Sequence, residues 1–281
     1  MVRSPTNWHT PAYGVLARDG QTAEVLADDL LGRASSRLDL AFLAHDDPLA
    51  GAIRARAVIG RPRTLERVVL RSPFIELEGD FESFEAGLPR KRRYEMRRRR
   101  TRLEELGEVT VEHFDWSERL DELLAEGFTV EAAGWKGQVG TAISADPNTA
   151  RFYEDVARWA AGRGWLRLWF VRLDGRAIAF AYCLEHLGTF FTVKVGFDPE
   201  YAAYAPGTLL TRETIAGCFA AGLRRYEFLG QAEPHKLIWT DHLVERTRLQ
   251  AFGSTVAGTA SWLGWSWVAP IVRSARESLR R

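Results

Sequence analysis

A chain of 281 residues is long enough to bury one large or two modest cores without disulfide or metal staples. Hydrophobic residues make up 46% and charged residues 27%, and the formal net charge is +1, so the overall charge points to no polyanionic or membrane partner. Cys183 and Cys218 sit inside apolar runs without ligand-like spacing, so they read as reduced core residues of a cytosolic protein, and no metal motif accompanies them.

The first 20 residues read as loosely structured, and MVRSPTNWHTPAYG lacks the apolar core of a secretory signal. Residues 22–32 form a short predicted helix, with Ala23, Leu26, Leu30 and Leu31 at helical spacing and Gly32 as its stop. Residues 37–44 alternate like a strand, and residues 48–59 read as a second helix. Residues 66–77 are expected to hold two short strands broken at Ser72-Pro73. Residues 80–107 read as one basic helix ended by Gly107. Within it, residues 90–102 run RKRRYEMRRRRTR. Such a run is either a solvated helix face or a contact for an anionic acceptor: a nucleotide-linked sugar, a lipid phosphate or tRNA. Tyr94 is its only aromatic, so a stacking platform for single-stranded nucleic acid is poorly supported.

A predicted strand at 108–114 places Val109, Val111 and His113 on one face. A helix at 116–133 follows, then a glycine-bearing loop at 134–148. A helix at 149–162 has an apolar stripe of Phe152, Val156, Trp159 and Ala160. Residues 165–173, 176–186 and 190–197 then form three consecutive strands, turned at Asp174-Gly175 and Leu187-Gly188. A helix at 207–221 stops at Gly222, a short buried strand occupies 225–229, and a final strand 242–252. Residues 251–272 carry no charge and include Trp262, Trp265 and Trp267. They read as a packed C-terminal helix, with membrane spanning and interfacial binding as alternatives. The basic residues of 273–281 keep peripheral membrane contact open. No repeat is visible.

Residues 194–215 carry the chemical argument. A strand ends near Phe197, a loop bears Tyr201 and Tyr204, and Pro206-Gly207 opens a helix. A helix N-terminus presents unpaired backbone N–H groups and the positive end of the helix dipole. Pro is preorganised for the first turn, and Gly admits a ligand close to the backbone. A phosphate or pyrophosphate suits such a place, although an ordinary strand–helix turn has the same pattern. Lys194 alternates onto one face with Thr192 and Gly196, where it is expected to meet Glu185, Asp198 or a ligand phosphate. Asp198 also reads as a cap of the loop. Glu131, Trp135 and Lys136 lie where a helix passes into a glycine-rich loop, either as a loop anchor or as the lining of an acceptor site. His235 is a further candidate base.

The layout resembles the GNAT acyltransferases. More closely, an ordered series resembles the CelD/BioF2-like acetyltransferases, relatives of the FemABX aminoacyltransferases. The series is Lys194, Gly196, Phe197 and Asp198; Ala205-Pro206-Gly207 with Leu210; YEFLG from Tyr226 to Gly230; then Lys236, Trp239 and Thr240. The EAAGWKG segment from Glu131, the basic helix and Phe152-Tyr153 belong to the same resemblance, which spans roughly residues 70–250. Ala202, Ala203 and Ala205 stand where GNAT loops carry glycine and basic residues.

The resemblance implies an α/β fold with a GNAT-like mixed sheet flanked by helices. It implies an abbreviated N-terminal GNAT-like region at 1–107, a complete GNAT-like domain at 108–252, and a C-terminal helix and tail at 253–281. It implies no tightly bound cofactor, with acetyl-CoA or another acyl-CoA as co-substrate. Tyr204, Ala205, Pro206, Gly207, Thr208 and Leu209 would hold the donor. Lys236 would stabilise an oxyanion and Glu131 accept the proton of an amine. Trp135, Lys136, Lys194, Asp198, Tyr201, His235 and Trp239 would line the substrate site. The acceptor is then an amine or hydroxyl of a small molecule, sugar or envelope precursor. An aminoacyl-tRNA donor and a non-catalytic binding protein on a degenerate fold are the competing readings, and a cytoplasmic location is expected.

Overall fold

A computed structural model of the chain describes residues 1–7, 9–34, 36–58, 62–115, 118–134 and 142–268. The elements in chain order are β1 (Val2–Arg3), α1 (Gly20–Arg33), β2 (Arg37–Ala44), α2 (Pro48–Val58), β3 (Arg63–Glu76), α3 (Phe81–Gly87) and α4 (Arg90–Glu104). There follow β4 (Val109–Phe114), α5 (Leu120–Ala133), α6 (Pro147–Ala161), β5 (Leu166–Leu173), β6 (Arg176–His186) and β7 (Thr189–Phe197). The chain continues with α7 (Pro206–Ala220), β8 (Arg225–Glu227), β9 (Leu243–Phe252) and α8 (Val256–Leu263). The chain divides into two compact units, Met1–Ser72 with the stretch from Leu243 onward, and Pro73–His242. The basic helix α4 therefore belongs to the second unit and β9 to the first.

In the first unit β2 pairs antiparallel with β9, and β1 adds to β2 in parallel. Leu38, Leu40, Leu43, Leu249 and Ala251 alternate inward from these strands onto Ala27 of α1 and Ile53 of α2. The α1 helix starts where Asp19 caps it, accepting from the Thr22 N–H at 2.7 Å. Among the described residues the uncharged C-terminal stretch gives the eight-residue α8 and a following π-turn at Gly264–Val268. Among the described residues no helix is long and apolar enough to cross a membrane.

In the second unit the strand order is β3-β8-β7-β6-β5-β4. β4 to β7 form an antiparallel meander, β7 and β8 run parallel, and β3 is antiparallel to β8. The predicted turns are present. Asp174 and Gly175 have φ of 47° and 81°, and Leu187 and Gly188 have 49° and 74°, as tight primed turns require. This mixed sheet is covered on both faces. One core takes Leu209, Leu210, Ile215 and Cys218 of α7 and Leu103 of α4 against Val171, Ala179, Ala181 and Tyr226. The other takes Leu123, Leu124 and Phe128 of α5 and Tyr153, Ala157 and Ala160 of α6 against Leu168, Phe170, Phe180 and Tyr182. Both cysteines are buried and free, as expected.

Three expectations are corrected. Residues 66–77 are not two strands: β3 runs through Ser72-Pro73, because the Pro73 carbonyl accepts from Phe228 N–H at 3.1 Å and proline's missing donor leaves no unmet bond. Residues 80–107 are not one helix. Pro89 forces Leu88 into an extended conformation (φ −69°, ψ 149°), which ends α3 and starts α4. In α6 the buried stripe is Tyr153, Ala157, Ala160 and Ala161, while Phe152 and Trp159 are 40% and 49% exposed. The alanines let the helix approach the sheet closely, and Trp159 instead stacks edge-on with Trp165.

Helix α5 lies unusually near the strands. A Cβ on Gly127 would fall 2.4 Å from the Phe180 ring, and one on Gly196 of β7 would fall 2.4 Å from the Glu131 Cα. The first obstacle is a ring that can turn; the second is backbone. Gly196→Ala is expected to destabilise the protein by roughly 1–3 kcal/mol, read as a lower urea midpoint, because overpacking against a helix backbone cannot be relieved by a rotamer change.

Candidate active site

The site is defined by where a ladder stops. β7 stays paired with β6 along its length, from Thr189 opposite His186 to Phe197 opposite Ala179. With β8 it is paired only at Thr189, Phe190 and Phe191. Beyond Glu227 the chain turns away through Leu229 and Gly230, with φ of 51° and 60°. The β7–β8 ladder therefore ends six residues short of the β7 terminus, and the sheet opens on that side. In open α/β sheets, ligands bind outside the carboxyl ends of such strands.

A second irregularity lies inside the opening. Thr192 faces Cys183 and Lys194 faces Tyr182, so Val193 is an extra residue, a β-bulge. The bulge breaks the period-2 alternation. Thr192 points toward Tyr226 and Cys183, whereas Lys194 shares the α5 and α6 face with Gly196. The expectation that all three share one face fails for this reason. The two carboxylates expected for Lys194 are also taken, Glu185 by Arg167 at 3.0 Å and Asp198 by Arg176 at 2.6 Å.

The strand–loop–helix unit leads from Phe197 into a 3-10 turn, Pro199–Tyr204, capped by Asp198, which accepts from Glu200 N–H at 3.0 Å. Ala205 is left-handed (φ 52°, ψ 53°), and Pro206 is the first residue of α7. The terminus holds fewer donors than its motif suggests. Pro206 has none, while Thr208 and Leu209 both donate to the Ala205 carbonyl, at 2.9 and 3.2 Å. Among the described residues that leaves the Gly207 N–H as the first-turn donor with no backbone hydrogen bond.

Cations supply what the backbone does not. A cavity of about 210 Å³ lies at this terminus, between α4 and α7. Tyr204, Ala205, Thr208 and Leu209 form one wall, and Met96, Arg92, Arg97, Arg99 and Arg100 of the basic run form another. Arg100 is committed to Glu104 and Glu213, and Arg212 to Glu85 and Glu213. Arg212 holds the Glu85 carboxyl below the usual range. Arg92, Arg97 and Arg99 make no ion pair among the described residues. Arg102 lies over the Tyr204 ring at 5.4 Å. Tyr201 is half-buried against the same core, with Arg176 at 5.7 Å from its ring.

On the other face, Glu131 at the end of α5 is buried, and its Oε2 accepts from the Ile143 N–H at 3.0 Å. Tyr153 of α6 lies beneath the Lys194 ammonium, 5.5 Å from Nζ to ring centroid. Burial, with Glu131 adding to it, pushes the Tyr153 hydroxyl well up. Glu131, Tyr153 and Lys194 thus form one polar group on the face opposite the cavity. Sequence reasoning missed Tyr153 as a site residue. Its signal was the Phe152-Tyr153 pair of the family resemblance, of which Phe152 rather than Tyr153 was read onto the apolar stripe.

Lys236 is placed differently from its expected role. Its ammonium has three donors, and they meet Leu229 O at 3.0 Å, Gln231 O at 3.2 Å and Glu233 Oε2 at 2.8 Å. The lysine clasps the turn that leads the chain away from β8. His235 points outward, its side chain 69% exposed. Trp239 is buried in the α7-side core. Trp135 and Lys136 lie outside the described residues.

Residues 90–237 match the acetyltransferase (GNAT) domain family, more than half of the chain, and the protein belongs to that family. No curated protein sequence matches it. Among solved structures it is similar to FemX, at a TM-score of 0.58 and 12% identity over 86% of this chain and 77% of that one. It is also similar to a C-terminal domain from Agrobacterium fabrum assigned to a lysylphosphatidylglycerol synthetase, at 0.57 and 14% over 88% and 81%. A conserved protein of unknown function from Bacteroides thetaiotaomicron VPI-5482 aligns at 0.56 and 12%, over 82% and 75%. At these identities the likeness is one of fold. Family and fold together define a GNAT-type transferase.

Lys236→Met should lower the denaturation midpoint by the equivalent of about 1–3 kcal/mol, because it strips a partner from two backbone carbonyls. A separate expectation concerns tyrosines. Burial raises the hydroxyls of Tyr153, Tyr182 and Tyr226. A folded-state pKa above the unfolded value of about 10 confers stability that is complete below that pH and is lost as pH climbs toward the folded value. In alkaline titration monitored by tyrosinate absorbance, these three of the seven tyrosines should ionise only as the circular dichroism signal collapses. Reversible ionisation of all seven before unfolding would contradict the burial.

Proposed function

We propose that the protein transfers an acyl group, acetyl in the simplest case, from acyl-CoA to an amine or hydroxyl of a sugar-linked or cell-envelope precursor. The observation that carries this is the end of the β7–β8 ladder at Phe191, which leaves the edge of β7 without β8 as far as Phe197, where Gly207 of α7 lies against the Phe197 ring. A thin donor arm can lie along the open edge of β7 while its phosphates meet Gly207 N–H and the arginines of α4. The acceptor then approaches from the α5 and α6 face. Its nitrogen or oxygen attacks the thioester carbonyl carbon, the C–S bond breaks, and CoA leaves as a thiolate. We assign Glu131 to take the acceptor's proton and Lys194 to orient the acceptor. Lys236 is assigned to holding the β8 turn rather than to the oxyanion. General-base catalysis of this kind contributes about 10²–10⁴-fold, so Glu131→Gln is expected to lower kcat by that much.

A second reading keeps the fold and changes the donor to an aminoacyl-tRNA. It is favoured by the scarcity of free backbone donors at the helix terminus together with Arg92, Arg97 and Arg99, a better match for a polyanion held by side chains. Calorimetric titration with acetyl-CoA decides between them. Binding below millimolar, weakened about tenfold or more by the double substitution Arg92→Gln/Arg99→Gln, is expected. No heat at millimolar acetyl-CoA, together with filter retention of charged over uncharged tRNA, would move the donor to the second reading.

A further inference from the structure

The first unit holds its own concentration of cations, apart from the donor cavity and from every residue assigned above. A cleft of about 740 Å³ is lined by Arg3, Arg37, Arg67 and Arg248, and among the described residues Asp39 is its only carboxylate. That carboxylate is fully engaged. Arg248 grips both of its oxygens, and Gln250 donates to Oδ2 at 3.0 Å. Burial alone would raise the Asp39 carboxyl, but Arg248 and Gln250 overcome this and hold it below the usual range.

Arg37 is left with poor partners. Its side chain is 13% exposed, and the buried Nε makes no hydrogen bond among the described residues. The nearest carboxylate oxygen, Asp39 Oδ2, is 3.5 Å away and already accepts from two other groups. The terminal nitrogen of Arg37 rests on the Met1 thioether, a weak acceptor, at 3.0 Å. A buried guanidinium donor without an acceptor is costly, more so than an uncharged donor left in the same position.

The cations also converge. The guanidinium carbons of Arg37, Arg67 and Arg248 lie 4.6, 5.6 and 5.3 Å from the centroid of one indole, Trp265. Three like charges are thereby held within roughly a Debye length of one another (about 8–10 Å at ordinary ionic strength), so their repulsion is only partly screened. The indole face attracts each of them but neutralises none. Beside them the rim offers hydroxyls: Ser4 and Thr6 lie 2.9 Å apart, with Ala41 N–H donating to Ser4 Oγ. Here β2 is bulged between Leu40 and Leu43, and Phe42 has φ 61°, so the ladder to β9 is interrupted along the wall of the cleft.

We propose that this cleft binds a multiply charged phosphate group, either on a soluble diphosphate or on the headgroup of an anionic lipid. Arg37 Nε donates to it, Arg3 and Arg67 supply charge from the sides, and Trp265 closes the arginine cluster. Asp39 is not a ligand but the clamp that sets Arg248 and Arg37 in place.

The test uses the full chain saturated with CoA, so that the donor cavity cannot take the probe. Inorganic pyrophosphate is titrated by calorimetry, and phosphatidylcholine vesicles with and without phosphatidic acid are tested by flotation. The double substitution Arg3→Gln/Arg67→Gln leaves the Asp39 clamp intact, and Trp265→Ala serves as a second variant, with thermal melts checking that each is folded. Pyrophosphate binding weakened at least tenfold in the double variant, without vesicle flotation, supports the proposal with a soluble ligand. Flotation that requires phosphatidic acid and is lost in the same variant supports it with a lipid headgroup. Wild-type protein that binds neither probe, or binding that both variants leave unchanged, overturns it. Because the variants lie outside the donor cavity, a failure to bind CoA tests the proposed activity alone.

Discussion

One parallel strand pair governs the second unit. β8 lends β7 only three paired residues, and then Leu229 and Gly230 carry the chain away. Everything that could do chemistry is arranged around the edge this leaves. The α7 terminus and the α4 arginines lie on one side of the sheet, and Glu131, Tyr153 and Lys194 on the other. Lys236 matters here through geometry rather than charge. Its three donors are spent on the turn after β8. The bulge at Val193 complements this, because it turns Lys194 toward Tyr153 within a strand whose neighbours keep their place in the core.

The chain's net charge of +1 is the balance of uneven regions. Along α4 and α7, Arg100, Arg212, Glu85, Glu104 and Glu213 form a braced network, and part of the basic run projects beyond it at the cavity. In the first unit a single aspartate organises an arginine cluster around an indole. Bulk composition averages these regions away, so the net charge names no particular partner, whereas the local arrangement presents cations at two places.

What could be read in the sequence was what depends on near neighbours. The meander of β5 to β7 followed from alternation and from Asp174-Gly175 and Leu187-Gly188, whose turn geometry is local. The start of α7 followed from Pro206-Gly207. Pro89 is a local signal for the break between α3 and α4 that the reading of 80–107 as one helix passed over. Other features had no local signal. The passage of β3 through Pro73 depends on Phe228, far along the chain. The bulge at Val193 depends on how β6 registers against β7. The buried side of α6 was misjudged in part, because hydrophobicity favoured Phe152 and Trp159, whereas close packing favoured Tyr153 and Ala157 beside the correctly read Ala160. Glu131, Lys194 and Tyr153 each come from a different element, so no spacing rule could join them.

The placement of the two polar groups on opposite faces of one sheet bears on the order of events. Cys183 and Cys218 are buried with their thiols pushed up by burial, so neither stands ready as a relay that would carry the acyl group between two half-reactions. Transfer as proposed therefore needs donor and acceptor present together, meeting through the open edge of β7. On that proposal, spent CoA would withdraw past α4 and α7 and the acylated product past α5 and α6, and with separate exits neither would block the other.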